Sequence, residues 1–196
     1  MATRGAGRLR LASESHRVPL VPNGVMGMLI FVITETMLFA GMISAFTILR
    51  SASLVWPPPD QPRLPVGETA VNTAALLASG VCLFMAQRTF VRDRARARRP
   101  LLAAMLLGAF FVGFQGVEWA RLIGQGLTLT SSTLGSFFYL IVGMHALHAV
   151  VALGLLAYTW LLLQRGWLAQ GQLAAAQVFW YFVVGLWPVL YGVVYL

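Results

Sequence analysis

Five long apolar runs constrain this chain more than any other feature. They cover about residues 24–49, 69–90, 101–124, 134–163 and 173–196. A helix needs about 20 mostly apolar residues to cross the hydrocarbon core of a bilayer, and each run reaches that length. Because lipid offers the backbone no hydrogen-bond partners, only helices and closed barrels span it. We therefore predict an all-α integral membrane bundle of five transmembrane helices.

The composition agrees with a chain whose main solvent is lipid. Of its 196 residues, 59% are hydrophobic and 10% are charged, whereas a soluble domain carries about 25% charged residues. We predict a basic, flexible N-terminal tail over residues 1–20 and one transmembrane domain over residues 21–196. The first run is too long for a signal-peptide core and lacks a cleavage site, so we expect it to be retained. Cys82 has no partner for an internal disulfide.

The arginines predict the orientation of the bundle. All fourteen basic residues are arginine, and eleven of them lie in segments that share one side if every run spans. Positive residues favour the cytoplasmic side, so we predict a cytoplasmic N-terminus and a periplasmic C-terminus. This placement explains the net charge of +8 without nucleic acid, and the basic loop at 92–99 is expected to contact lipid headgroups. The eleven are Arg4, Arg8, Arg10, Arg17, Arg88, Arg92, Arg94, Arg96, Arg98, Arg99 and Arg165. The three on the opposite side are Arg50, Arg63 and Arg121.

Four acidic or histidine residues lie inside the apolar runs: Glu35, Glu118, His145 and His148. A charged side chain at the middle of a bilayer costs about 3 kcal/mol even on the most lenient insertion scale. Such residues face protein rather than lipid and mark functional sites by default. We therefore expect these four to form a buried polar network with a proton-related role.

Glu35 and the two histidines are predicted to meet. At 1.5 Å per residue, Glu35 lies about 18 Å into the first run and His145 about 17 Å into the fourth. A hydrogen bond from Glu35 to His145 or His148 is therefore predicted, with Glu35 protonated because burial disfavours a carboxylate. Glu35 is then either a proton-handling group or a neutral acid that joins two helices, and the sequence leaves both open.

Other chemistry for the histidines is disfavoured by their spacing. His145 and His148 are three residues apart and share one side of a helix, so they cannot ligate a haem from opposite faces of the iron. Too few further ligands cluster with them for a metal site. The simplest interpretation is that both histidines form hydrogen bonds to neighbouring helices.

The remaining polar residues have simpler expected roles. Glu118 and Arg121, three residues apart, are expected to form a local ion pair near the outer end of the third run. Asn72 and Thr73 begin the second run and are expected to cap it or to bond across helices. Aromatic residues toward the run ends are expected to form interfacial belts: Trp56, Trp160, Trp167, Trp187, Tyr191 and Tyr195. The loop containing Trp56 and Pro57 is expected to be extended because it is rich in proline.

Several blocks of sequence occur in an order that points to one family. They are Gly27–Phe31 with Thr34–Phe39, Trp56–Pro58, Asn72–Val81, Gln115–Trp119, and Gly135–Phe138 with Gly143–His148. Together they resemble subunit III of the haem–copper terminal oxidases over about residues 24–196. In this resemblance Glu35 matches the family's carbodiimide-reactive glutamate, and the two histidines match its Gly-x-His-x-x-His helix.

The chain also departs from the family pattern. Family members commonly have seven spans, and this chain resembles the shorter five-helix bacterial type. The last helix of the family usually contains Trp-His-Phe-x-Asp, where this chain has Trp180-Tyr181-Phe182-Val183-Val184. Tyr181 and Ser136 are expected to make structural contacts between helices, as are Asn72 and Thr73.

The resemblance implies an accessory subunit of a proton-pumping cytochrome c oxidase in the bacterial inner membrane. It implies no catalytic residue, cofactor or metal in this chain, with haems and copper in partner subunits. The expected partners are the catalytic subunit I, subunit II, small subunits, membrane lipids including bound phospholipid, and a respiratory supercomplex, but no nucleic acid. The implied roles are to stabilise the catalytic subunit, to hold lipid and to support proton uptake.

Three alternatives remain open at this stage. The chain could serve a quinol oxidase, or it could be the related accessory subunit of a nitric oxide reductase. A small proton or solute transporter using Glu35 and the histidines is a third possibility, although the chain lacks the two similar halves common in transporters.

Overall fold

Five long helices make up the part of the chain described by the computed structural model, which covers residues 22–53 and 64–196. They are α1 (Asn23–Ala52), α2 (Val66–Arg92), α3 (Arg98–Gly124), α4 (Thr133–Gln164) and α5 (Gln170–Leu190). All five are long and apolar enough to cross a membrane. The predicted all-α class is therefore confirmed, and the five helices are consistent with a five-span membrane bundle. The predicted tail at 1–20, the loop containing Trp56 and Pro57, and Arg63 lie outside the described residues.

Glycine allows two of the helices to stop where they do. Gly126 after α3 has a φ of 93° and Gly166 after α4 has a φ of 76°. Both lie in the left-handed region that glycine adopts without steric cost. The following amides then bond back to the last turn, with Leu127 N 3.0 Å from the Leu122 oxygen and Trp167 N 2.9 Å from the Leu162 oxygen. These are Schellman ends.

Helix α5 is the centre of the bundle. It contacts α1, α2 and α4, while α2 and α3 share the most extensive interface. Trp180 and Trp187 on α5 are fully buried. Beyond Leu190 the backbone continues as a π-helical segment, Tyr191–Tyr195.

Helix α1 is the least buried element. Only Phe39 and Phe46 are fully buried on it, and many of its other large apolar side chains are exposed. Its C-terminal end is tied to the rest of the molecule by Arg50. This guanidinium donates to the carbonyl oxygens of Val193 and Leu196, each at 3.1 Å.

The prediction of an interfacial aromatic belt is wrong for two of the residues assigned to it. Trp187 is fully buried and Tyr195 is 7% exposed, so both belong to the interior of the bundle. Trp187 packs edge-to-face against Phe111, with the ring centres 4.9 Å apart. Proximity to a run end places a residue at a depth, but it does not decide whether the ring faces lipid or protein.

Candidate functional site

Glu35 on α1 and His148 on α4 form an acid–imidazole pair across two helices. The Glu35 Oε2 atom lies 3.0 Å from His148 Nε2. Their side chains are 17% and 10% exposed, respectively. The pair is therefore largely removed from the surroundings of the bundle.

The second nitrogen of His148 determines how many protons the pair holds. His148 Nδ1 lies 2.7 Å from the carbonyl oxygen of Met144. A carbonyl oxygen only accepts hydrogen bonds, so Nδ1 carries a hydrogen and donates it. A hydrogen bond between Nε2 and Oε2 then requires one proton, carried by either Glu35 or His148. The pair has no net charge in either case.

Aromatic rings enclose the imidazole of the pair. The His148 ring centre lies 5.5 Å from Phe39, 6.0 Å from Phe179 and 6.1 Å from Phe182. Phe31 stacks on it at 6.4 Å. Apolar walls strengthen a hydrogen bond and penalise separated charges. The apolar walls therefore favour a close contact between Glu35 and His148 over separated charges.

His145 does not join this pair, so the expected network of Glu35 with both histidines is only partly formed. His145 is 1% exposed and stacks on Trp187 at 5.0 Å between ring centres. Three residues along a helix correspond to a rotation of about 300°. The two side chains consequently diverge by about 60°, and His145 faces Phe111 and Trp187 while His148 faces α1.

Glu118 belongs to a second buried cluster, near the end of α3. It is 3% exposed. Its Oε1 atom lies 3.0 Å from Thr69 Oγ1, and Gln115 Nε2 donates to its Oε2 atom at 3.1 Å. Gln115 Nε2 also lies 3.1 Å from the hydroxyl of Tyr195. The cluster therefore joins α2, α3 and the π-helical segment.

Thr69 limits the hydrogen-bond pattern of this cluster. Its Oγ1 atom also lies 2.8 Å from the carbonyl oxygen of Pro65. A hydroxyl has one hydrogen to donate. Both contacts form together when Glu118 is a carboxylic acid that donates to Thr69, which then donates to Pro65.

The expected ion pair between Glu118 and Arg121 is not formed. Arg121 instead lies 3.2 Å from Glu68 on α2, with side chains that are 63% and 54% exposed. The two helices approach here, so Arg121 finds a solvent-exposed partner while Glu118 points into the bundle. An exposed pair of this kind contributes about 0–1 kcal/mol.

Polar side chains join α2 to its neighbours along its length. Asn72 Nδ2 donates to the Phe111 oxygen at 3.2 Å, and Thr73 Oγ1 accepts from Trp187 Nε1 at 2.8 Å. Both residues thus bond across helices, which is one of the two roles expected for them.

Two further links were missed by the sequence reasoning. Ser79 donates to the Ala104 oxygen at 2.7 Å and accepts from Trp180 Nε1 at 3.1 Å. Gln177 donates to the Leu83 oxygen at 3.2 Å. The available signal was a single polar residue in the middle of an apolar run.

Ser136 and Tyr181 do not make the contacts between helices that were expected of them. Ser136 Oγ lies 2.6 Å from the Leu129 oxygen and 3.1 Å from the Ser132 oxygen, both local to the start of α4. Tyr181 is 37% exposed on the outside of the bundle. Ser136 therefore holds the preceding turn, and Tyr181 faces away from the core.

Among residues 22–53 and 64–196, no group of three or more histidine, cysteine or acidic residues is arranged to hold a metal ion. Many of the polar groups that do converge are hydrogen-bonded side chains of the bundle. Several of them join neighbouring helices through these contacts.

Comparisons with known proteins all point to one family. The family model for cytochrome c oxidase subunit III matches residues 12–196. The chain is 34% identical to the probable cytochrome c oxidase subunit 3 of Nocardia farcinica over 184 residues, covering 89% of this chain and 88% of that protein. It is 36% identical to the Mycobacterium leprae protein of the same description over 183 residues, with 89% and 88% coverage. It is also 30% identical to cytochrome c oxidase subunit 3 of Oryctolagus cuniculus over 194 residues, covering 93% of this chain and 73% of that protein.

Proposed function

Because this chain belongs to the cytochrome c oxidase subunit III family, we propose that it stabilises the catalytic subunit, holds lipid and supports proton uptake. Its class is a multi-pass membrane subunit of cytochrome c oxidase without a catalytic centre, and its partners are other subunits of that complex. Family membership disfavours the nitric oxide reductase and transporter alternatives. Haems and copper then belong to the partner subunits.

The Glu35–His148 pair carries the proposal for proton uptake. The pair joins α1 to α4 through a 3.0 Å contact, and much of the surface of α1 faces outward. A partner subunit or lipid packed on that surface would therefore lie next to the acid. We expect the pair to serve as a proton reserve beside the catalytic subunit.

A basic cavity supports the proposal that the subunit holds phospholipid. Arg94 and Arg98 line a space of about 190 Å³ together with Leu163 and Leu168. Guanidinium groups beside leucines suit an anionic headgroup with its attached chains. Native mass spectrometry should detect fewer bound anionic lipids on the complex carrying Arg94→Gln and Arg98→Gln than on the complex carrying Arg165→Gln.

The association with an oxidase is tested by gentle purification of the tagged chain. We expect a large catalytic subunit to copurify and the reduced-minus-oxidised spectrum to contain haem a-type bands. A spectrum of haem b with non-haem iron would instead indicate nitric oxide reduction. A colourless chain that purifies alone would contradict the proposed role.

The role in proton uptake is tested with the intact complex in vesicles. Glu35→Gln keeps the shape of the side chain but removes its titratable proton, so we expect slower proton uptake during turnover with unchanged haem spectra. Met37→Leu is the matched control, because Met37 lies on the same helix and is 70% exposed. Equal rates of proton uptake in both variants would refute this role. They would not contradict the proposed association with the oxidase.

A further inference from the structure

A cavity of about 180 Å³ lies between α3 and α4 beside His145. Most of its wall is apolar, formed by residues that include Phe111, Val142 and Trp187. Three polar side chains also line it: Gln115 and Trp119 from α3, and His145 from α4. Gln115 and Trp119 are four residues apart, so they lie on one face of α3.

Each of these side chains has a buried polar atom without a partner. His145 Nδ1, His145 Nε2, Gln115 Oε1 and Trp119 Nε1 make no hydrogen bond within the part of the chain that the structure describes. His145 is 1% exposed and Gln115 is 3% exposed. Buried polar groups in proteins are hydrogen-bonded to protein or to ordered water in the great majority of cases.

The unpartnered atoms match the hydrogen-bonding capacity of water. Neutral histidine has one donor and one acceptor nitrogen, the indole nitrogen of Trp119 donates, and Gln115 Oε1 accepts. The three side chains that line the cavity therefore carry two donors and two acceptors that lack partners. A buried water molecule makes about three hydrogen bonds and occupies about 30 Å³, so the space suffices for more than one. An acyl chain would leave all four atoms unsatisfied.

We propose that this cavity is an internal water site, in which ordered water bridges His145 to Gln115 and Trp119. Gln115 then has a double role, because its Nε2 atom already donates to Glu118 at 3.1 Å. Water on its Oε1 atom extends the Glu118 cluster to His145. The result is a continuous polar connection from Glu118 to the middle of α4.

The direct test is a high-resolution cryo-electron microscopy map of the intact oxidase complex. We expect at least one isolated density peak within hydrogen-bonding distance of a His145 ring nitrogen and of Gln115 Oε1 or Trp119 Nε1. The proposal is overturned by a cavity without density, by a continuous chain-shaped density, or by His145 bonded directly to protein.

A second test uses the temperature at which the subunit dissociates from the complex. Trp119→Phe removes the Nε1 donor. His145→Leu removes the ring nitrogens that this donor reaches through water. We expect the effects of the two changes to be non-additive, with the double variant no worse than His145→Leu alone.

Trp160→Phe is the matched control for that cycle. Trp160 Nε1 is also buried and unpartnered, but Trp160 does not line the cavity. Its effect should add to that of His145→Leu. Additive behaviour of Trp119→Phe as well would contradict a shared water. If His145→Leu prevents assembly, the map of the unaltered complex decides the question.

Discussion

At the scale of the residue, the proton of the Glu35–His148 pair has a preferred position. The contact between the two side chains is 3.0 Å long and is walled by phenylalanines. Removing two opposite charges from water costs more than their attraction returns unless further hydrogen bonds solvate them. Oε2 has the imidazole as its partner, and the phenylalanine walls offer no additional donors. We therefore expect the neutral form, with the proton on Glu35.

This expectation is tested by infrared spectroscopy of the complex. Glu35→Gln should remove a protonated-carboxyl band near neutral pH, because the band belongs to that acid. Glu68→Gln is the control, since Glu68 is exposed and paired with Arg121, and it should leave the band unchanged. A spectrum in which Glu35→Gln loses no protonated-carboxyl intensity would contradict a neutral Glu35.

A second prediction at this scale concerns Trp187. Its Nε1 atom donates to Thr73 Oγ1 at 2.8 Å. Trp187→Phe removes this bond and leaves the buried Thr73 hydroxyl without the indole donor. The free energy of unfolding should therefore fall by about 1 kcal/mol. Thermal dissociation of the subunit measures the change. Trp167→Phe should have no comparable effect, because Trp167 is 70% exposed.

At the scale of the element, small residues determine how closely the helices approach. A Cβ atom on Gly80 of α2 would lie 3.2 Å from Val184 of α5. One on Gly108 of α3 would lie 2.5 Å from Cη2 of Trp180. Without a hydrophobic drive between helices in lipid, association depends on such close packing and on hydrogen bonds between helices. The indole of Trp180 is held by both, since it also bonds to Ser79.

Gly108→Ala should therefore weaken the interface of α3 with α5. The added methyl group must displace the Trp180 ring, and overpacking of this kind costs about 1–3 kcal/mol. Gly113→Ala is the control on the same helix, because a Cβ atom there meets nothing within 4 Å. Thermal dissociation should distinguish the two variants. Equal stabilities would show that the Trp180 ring moves aside without cost.

At the scale of the whole molecule, orientation in the membrane remains a prediction from the arginines. The α2–α3 loop contains Arg94 and Arg96, and the opposite end of α3 leads to Gln125. If each helix spans, these two positions lie on opposite sides of the bilayer. The positive-inside rule assigns the arginine-rich loop to the cytoplasm.

Cysteine labelling of intact cells tests this orientation. In a Cys82→Ser background, Gln125→Cys should react with a membrane-impermeant maleimide from outside. Ala95→Cys should react only after the membrane is permeabilised. Both positions are exposed, so access to reagent is limited only by the bilayer. The reverse labelling pattern would invert the orientation.

The sequence by itself determined the helices and the depth of each polar residue. Lipid requires every backbone group to be satisfied within its own segment, so an apolar run of sufficient length has one available structure. Counting residues along that helix then gives depth. This reasoning located Glu35 and the histidines at similar depth, and it placed Asn72 and Thr73 where they bond across helices.

Only the tertiary structure decided which groups meet. Helices that are apolar on nearly every side give no periodic signal for the face that turns inward. The rotation of α4 therefore could not be deduced, and it is this rotation that brings His148 rather than His145 to Glu35. Likewise, the approach of α2 to α3 pairs Arg121 with Glu68 and leaves Glu118 to Thr69 and Gln115. Depth follows from a count along one helix, whereas contact depends on the relative rotation and packing of several.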